Sequence, residues 1–145
     1  MDPRIIHFLD NQKAVSICCL DAEQHPYCFT VFFAFDAERQ LLFYKSSANS
    51  YHGHVMEAGD KVAGTILPDK LNTLAIKGVQ FAGTVLPLND PLIGAGAVYY
   101  GKFPFATAMP GDIWTIQLET IKFTDNTVVF GKKTLWKRGE EVVSQ

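Results

Sequence analysis

Residues 27–35 read Tyr-Cys-Phe-Thr-Val-Phe-Phe-Ala-Phe, a run of aromatic and β-branched side chains. Such residues fit the pleated, half-buried surface of a sheet. Turn-forming residues bound the run on both sides, Asp21 to Pro26 before it and Asp36 to Gln40 after it, so it is one strand between two tight connections. Working outward, Val15, Ile17 and Cys19 alternate with Ser16 and Cys18, and Leu41 to Ser46 supplies a further strand. The three form an antiparallel meander. Successive side chains of a strand point to opposite faces. Phe29, Phe33 and Phe35 therefore share one face and pack a core, while Phe32 on the other can line a flat apolar pocket.

The flanks extend this pattern. Asp2 then Pro3 is a helix cap followed by proline at the first helical position, and Ile5, Phe8 and Leu9 fall on one face of a short helix ending near Gln12. Asn49 or Ser50 caps a second short helix running through Met56 and Ala58 to Gly59. Strands are expected from Lys61 to Leu67 and from Leu74 to Leu86, then a helix from Asp90-Pro91 through Tyr100 to Gly101. A strand over Asp112 to Leu118 follows, and a hairpin over Ile121 to Trp136 that turns at Asp125-Asn126. Strands joined mainly by hairpins predict a mainly β domain, residues 1–145, closed as a six- to eight-stranded antiparallel barrel with a few rim helices.

Composition bounds the function. The chain has 145 residues, 48% of them hydrophobic, which excludes disorder and leaves room for one core. Thirteen Lys and Arg against 15 Asp and Glu give a net charge of −2, without the basic excess that tracks a phosphate backbone, so nucleic acid is not an expected partner. The N-terminal residues lack a signal-peptide profile and no apolar run is long enough to span a bilayer, so the expected location is cytoplasmic, with no membrane partner. Cys18, Cys19 and Cys28 match no metal or redox spacing and are expected to be buried, reduced thiols.

Four features carry candidate chemistry. Lys45, Ser46, Ser47, Asn49, Ser50 and His52 gather where a strand ends and a capped helix begins. Free N–H groups, hydroxyls and cations there suit a phosphate monoester, although serine and asparagine also collect at caps for local reasons. His52 and His54 point to different helix faces, and no acidic or thiolate partner stands at ligand spacing, so no metal is expected. Gly94, Gly96 and Gly101 fail the dinucleotide fingerprint, because Tyr99 holds the last glycine position and no strand leads in. Small residues from Gly94 to Ala97 instead suggest a helix lying close on the sheet or on a neighbouring subunit. Gln80, inside an apolar strand, is expected to be a buried amide matched either to a heterocycle edge or to a cross-strand partner. No nucleophile, base and acid set is visible, so any hard chemistry belongs to a cofactor.

Ile121 to Thr127, Phe130-Gly131-Lys132-Lys133, Trp136, Gly78-Val79-Gln80-Phe81 and Gly83 resemble the flavin-binding split barrels of the pyridoxamine 5′-phosphate oxidase superfamily, specifically a small bacterial branch of it. The resemblance spans essentially the whole chain. It implies a homodimer with FMN at the subunit interface. Thr30, Val31 and Phe32 would lie along the flavin ring. Lys45, Ser46, Ser47, Ser50 and His52 would hold the phosphate, and Gln80 would reach a ring edge or the ribityl chain. Lys132 or Lys133 from the second copy would stand where the oxidases place an arginine. Three departures matter. The oxidases carry a basic residue where this chain has Phe29 and a substrate-contacting lysine where it has Ala34, and their C-terminal basic motif does not follow Trp136. A second phosphorylated ligand thus loses its donors. The expectation is an FMN-dependent oxidoreductase acting on a small organic molecule, not a vitamin B6 oxidase. A non-catalytic flavin- or haem-type binder or sensor, and a structural dimer without cofactor, are the alternatives.

Overall fold

The computed structural model describes residues 1–127 and 133–140. Seven strands form one antiparallel sheet: β1 Ala14–Leu20, β2 Pro26–Asp36, β3 Leu41–Ser46, β4 Lys61–Ile66, β5 Lys77–Val85, β6 Asp112–Asp125 and β7 Lys133–Lys137. Their order is β3-β2-β1-β4-β5-β6-β7, and β3 also pairs with β6, which closes β1 to β6 into a barrel and leaves β7 outside it. The expected fold class therefore stands.

Inward positions fill the barrel. Ile17, Phe33, Leu42, Tyr44, Ile66, Ile116 and Leu118 are all buried, and at the closing seam the opposed Tyr44 and Trp114 stack with ring centroids 6.2 Å apart. Helix α1, Pro3–Asn11, begins where expected, with the Asp2 carboxylate accepting from the Arg4 amide at 2.8 Å. Its buried Ile5, Phe8 and Leu9 plug one mouth, Phe8 meeting Phe123 at 5.3 Å. Each such burial contributes about 1.5–3 kcal/mol.

Three element boundaries differ from expectation for identifiable reasons. The last two segments expected as separate, Asp112 to Leu118 and the start of the hairpin at Ile121, are one 14-residue strand. Glu119 and Thr120 break the apolar alternation, and the backbone absorbs them in a bulge opposite Ala82 and Gly83. Strand β5 starts at Lys77, three residues after the expected Leu74. The Asp90-Pro91 signal makes a turn instead of a helix: the Asp90 carboxylate accepts from the Leu92 amide, and Gly94 takes φ +62°, so helix α3 covers Ala95–Lys102. Within one chain a methyl group on Gly94 would meet nothing within 4 Å and one on Gly96 only the ring of Tyr100, so neither glycine is needed for packing on the sheet. A 3-10 turn over Pro104–Ala108, not foreseen from the sequence, follows α3.

An open strand edge and the candidate ligand site

Strand β2 pairs with β1 from Pro26 to Phe32 and with β3 only from Phe33 to Asp36. The half of β2 from Pro26 to Phe32 thus has no ladder partner on its β3 side. Backbone hydrogen bonds from Phe33 to Lys13 (2.9 Å) and from Asp21 to His25 (3.0 Å) fix which residues bond across β1 and β2. Alternation then gives Val15 and Val31, Ile17 and Phe29, and Cys19 and Tyr27 to the ladder, and turns the N–H and C=O of Cys28 and Thr30 to the open side. Donors and acceptors alternate along this edge.

Two walls flank the edge. On the α2 side, Phe29 stacks on His52 with centroids 3.8 Å apart and 7° between planes. His52 Nε2 lies 2.6 Å from Ser46 Oγ, and burial lowers the pKa of the imidazole. On the α3 side, Phe32 is 61% exposed and its ring stands 5.9 Å from that of Phe103. Phe32 and Thr30 also line a cavity of about 450 Å³ with Ser16, Thr65 and Leu67. The expectation that Phe32 would leave the core while Phe33 and Phe35 entered it agrees with this placement.

The serine-rich corner is built differently from a ready phosphate cradle. Helix α2 is only Tyr51–Val55, capped by Ser50 and not Asn49, and it ends before Ala58. The Ser50 hydroxyl donates to the Ser47 carbonyl at 2.6 Å and accepts from the Gly53 amide, while Ser47 Oγ accepts from the Asn49 amide. Lys45 lies at the end of β3, but its ammonium donates to Tyr100 Oη at 2.8 Å and to the Ala106 carbonyl at 2.7 Å, beneath α3 and the 3-10 turn. Ser46 and His52 are therefore beside the open edge. Lys45 is turned away from it.

Gln80 is exposed, correcting the expected burial, and among the described residues its amide has no side-chain hydrogen bond. Register neighbours place it on the outward face in a row running Thr30, Ser16, Thr65, Gln80, Lys122 and Leu135. Three ladder steps separate Gln80 from Thr30, about 14 Å at the usual strand spacing. It lines a second outward cavity of about 480 Å³ with Lys122, Leu135 and Trp136. Lys133 is exposed at the start of β7, opposite Thr124, and Lys132 lies outside the described residues. One copy of the chain thus sets Thr30 and Phe32 on the outward side of the open edge, with Ser46 and His52 beside Phe29 on its other face, and holds Gln80 in a separate cavity. Val31 is half-buried and packs toward the core.

Of the thiols, only Cys19 is buried; Cys28 is exposed and Cys18 partly so, which corrects the expectation for those two. Among the described residues no group of three or more His, Cys, Asp or Glu side chains is placed to hold a metal ion, and no helix is long and apolar enough to cross a membrane. Sequence reasoning missed the open edge at Cys28 and Thr30, because main-chain groups leave no signature in residue types.

The closed six-stranded antiparallel barrel with an open-edged strand and an outlying seventh strand is the split barrel of the pyridoxamine 5′-phosphate oxidase-like fold. Solved structures agree. A haem-binding protein from Mycobacterium smegmatis superposes with TM-score 0.72 at 15% identity, covering 90% of this chain and 55% of that one. A haem storage protein from Vibrio cholerae gives 0.58 at 16% identity, covering 95% and 94%. An FAD-binding protein from Mesorhizobium loti gives 0.60 at 14% identity, covering 83% and 91%. The chain belongs to the UPF0306 family: it is 34% identical over 136 residues to the UPF0306 protein of Serratia proteamaculans, covering 93% of this chain and 94% of that one. It is 36% identical over 138 residues to that of Cronobacter sakazakii, covering 94% and 95%. No family model matches the chain.

Proposed function

We propose that this chain is an FMN-binding flavoprotein that works as an oxidoreductase on a small organic molecule, as a homodimer. The observation that carries the reading is the open edge of β2. Free amide and carbonyl groups at Cys28 and Thr30, with the exposed ring of Phe32 beside them, match the rim and face of a planar heterocycle with alternating donors and acceptors. Bound there, the flavin supplies hydride and electron transfer, and the chain's residues orient it. The phosphate is directed to the corner of Ser46, Ser47, Ser50 and His52, where ligand oxygens replace local hydrogen bonds. With Lys45 engaged under α3, that corner lacks a strong cation, so phosphate recognition rests on hydroxyls and main-chain groups.

The second copy follows from distance. Gln80 stands too far from Thr30 to touch the same ring from one chain, and a partner's outward face would bring it over that ring, with Lys132 or Lys133 as the accompanying cation. Exposed Phe32, Leu67, Leu71, Leu74, Ile76 and Leu135 supply the apolar surface such an interface buries. Haem is the less favoured ligand, since the alternating main-chain donors and acceptors of this edge match the rim of a flavin and not the apolar rim of a porphyrin.

Absorbance of the purified chain titrated with FMN tests the reading. A bound flavin spectrum at one FMN per chain, bleached by NADH or NADPH and restored by an electron acceptor, supports an enzyme. Binding without bleaching leaves a flavin carrier, and a chain that ignores FMN overturns the proposal. Replacing Ser46, Ser47 and His52 together by Ala should weaken FMN far more than riboflavin; equal losses would move the phosphate elsewhere.

A further inference from the structure

Cys18 and Cys28 face each other across the β1–β2 ladder on the outward side of the barrel. The same alternation that frees the Thr30 amide makes this a non-hydrogen-bonded pair, the kind whose Cα atoms lie about 4.5 Å apart with side chains closest. A disulfide accepts Cα separations of about 4.4–6.8 Å, so the pair is within bridging range as it stands. The neighbouring pair of the same kind, Ser16 and Thr30, shows how closely side chains meet there: their hydroxyl oxygens are 3.1 Å apart. The adjacent Cys28 side chain, with burial second, holds the Cys18 pKa above its usual value. On the other side of Cys18 the β4 neighbour is Ala63, whose methyl group leaves the sulfur room to turn. Cys19 projects into the core at 3% exposure and is out of reach.

We propose that Cys18 and Cys28 form a redox-active dithiol that closes to an intrachain disulfide by exchange with a small-molecule disulfide of the glutathione type. The exposed Cys28 opens the reaction. Its thiolate attacks one sulfur of the small disulfide and forms a mixed disulfide, expelling one small thiolate that takes up the proton Cys28 released. The Cys18 thiolate then attacks Cys28 Sγ and expels the second small thiolate, which takes up the Cys18 proton. The protein loses two hydrogens and two electrons, and the small disulfide becomes two thiols. The step needs no flavin and stands apart from the proposed activity.

The test equilibrates the purified full chain in glutathione buffers of increasing oxidised fraction, quenches with acid, alkylates under denaturing conditions and maps peptides by mass spectrometry. The expected result is a Cys18–Cys28 link with Cys19 alkylated. In Cys18→Ser the glutathione adduct should persist on Cys28, because nothing resolves it, and in Cys28→Ser the link should vanish. Circular dichroism confirms that both variants fold, as serine at these outward positions allows. A wild-type chain that stops at the Cys28 adduct, joins two chains through Cys28, or keeps all three thiols in the oxidising buffers overturns the proposal.

Discussion

Phe32 is the single side chain at which fold and ligand make opposite demands. Strand alternation sends it outward, where an aromatic ring exposed at 61% gains little stability. Phe32→Ala should therefore change unfolding free energy by no more than about 0.5 kcal/mol. If the ring covers a flavin, the same change should weaken FMN binding about tenfold, the order expected for one lost aromatic contact. Thermal melts and fluorescence titration read the two effects separately. His52 makes the contrasting case. Burial lowers its pKa, so the folded chain favours the neutral imidazole. Its contribution is present in full above the unfolded value near pH 6.5 and is lost as pH falls toward the folded value. Melting temperature should thus drop as pH falls below about 6.5, and His52→Gln should flatten that drop; an unchanged slope would refute the assignment.

At the scale of elements, β2 is a strand with one half in a barrel and the other at an edge. Proline removes a backbone donor and is tolerated only where that donor faces away from the ladder. Thr30→Pro should leave a cooperative melt while reducing flavin affinity, whereas Val31→Pro, whose N–H faces Val15, should unfold the chain at ordinary temperatures. Circular dichroism beside FMN titration distinguishes them. Gly64 marks the tightest crossing in the sheet, since a Cβ there would stand 2.4 Å from the Ser16 carbonyl and from the Phe81 ring. Gly64→Ala should cost about 1–3 kcal/mol in chemical denaturation, the range for an overpacked position. The meander was legible because Val15, Ile17 and Cys19, then Phe33 and Phe35, keep strict alternation between short turns. The end of the chain was less so. Glu119-Thr120 looks like a strand end in residue types, and only pairing with Gly83 on β5 shows that the backbone bulges and continues. Likewise Asp90-Pro91 carries a helix-start signal that Gly94, held at positive φ, postpones. At the site, Ser46 and His52 were legible as polar groups at a strand-to-helix joint. The direction of the Lys45 side chain was not, because its partners Tyr100 and Ala106 come from a distant part of the chain.

For the whole molecule, the separation of Thr30 from Gln80 predicts that flavin binding and self-association rise and fall together. Sedimentation should show a dimer that persists in high salt, since the exposed residues offered for its interface are apolar, and Leu74→Asp with Leu135→Asp should yield monomers with weakened FMN binding. A monomeric wild type would contradict the shared site. Arg138 gives the barrel a further tie: its guanidinium donates to the carbonyls of Leu118 at 2.7 Å and Gln40 at 2.8 Å, joining the segment after β7 to the β2–β3 turn.

The closing pair β3 with β6 also governs how quickly this chain becomes a barrel. β1, β2 and β3 find one another through short hairpins, but Leu41 to Ser46 must wait for Asp112 to Gln117, from the opposite part of the chain. Loop entropy is spent before that seam returns any contact. Tyr44 and Trp114 meet only there, so in a Trp136→Phe chain, which keeps Trp114 as its one tryptophan, fluorescence during refolding should report the seam itself. Refolding should fall in the slow, millisecond-to-second class expected of barrels rich in distant contacts. Until the seam closes, β3 has an unpaired flank, and a newly made chain spends its time before the final zipping with that sticky edge exposed to other chains.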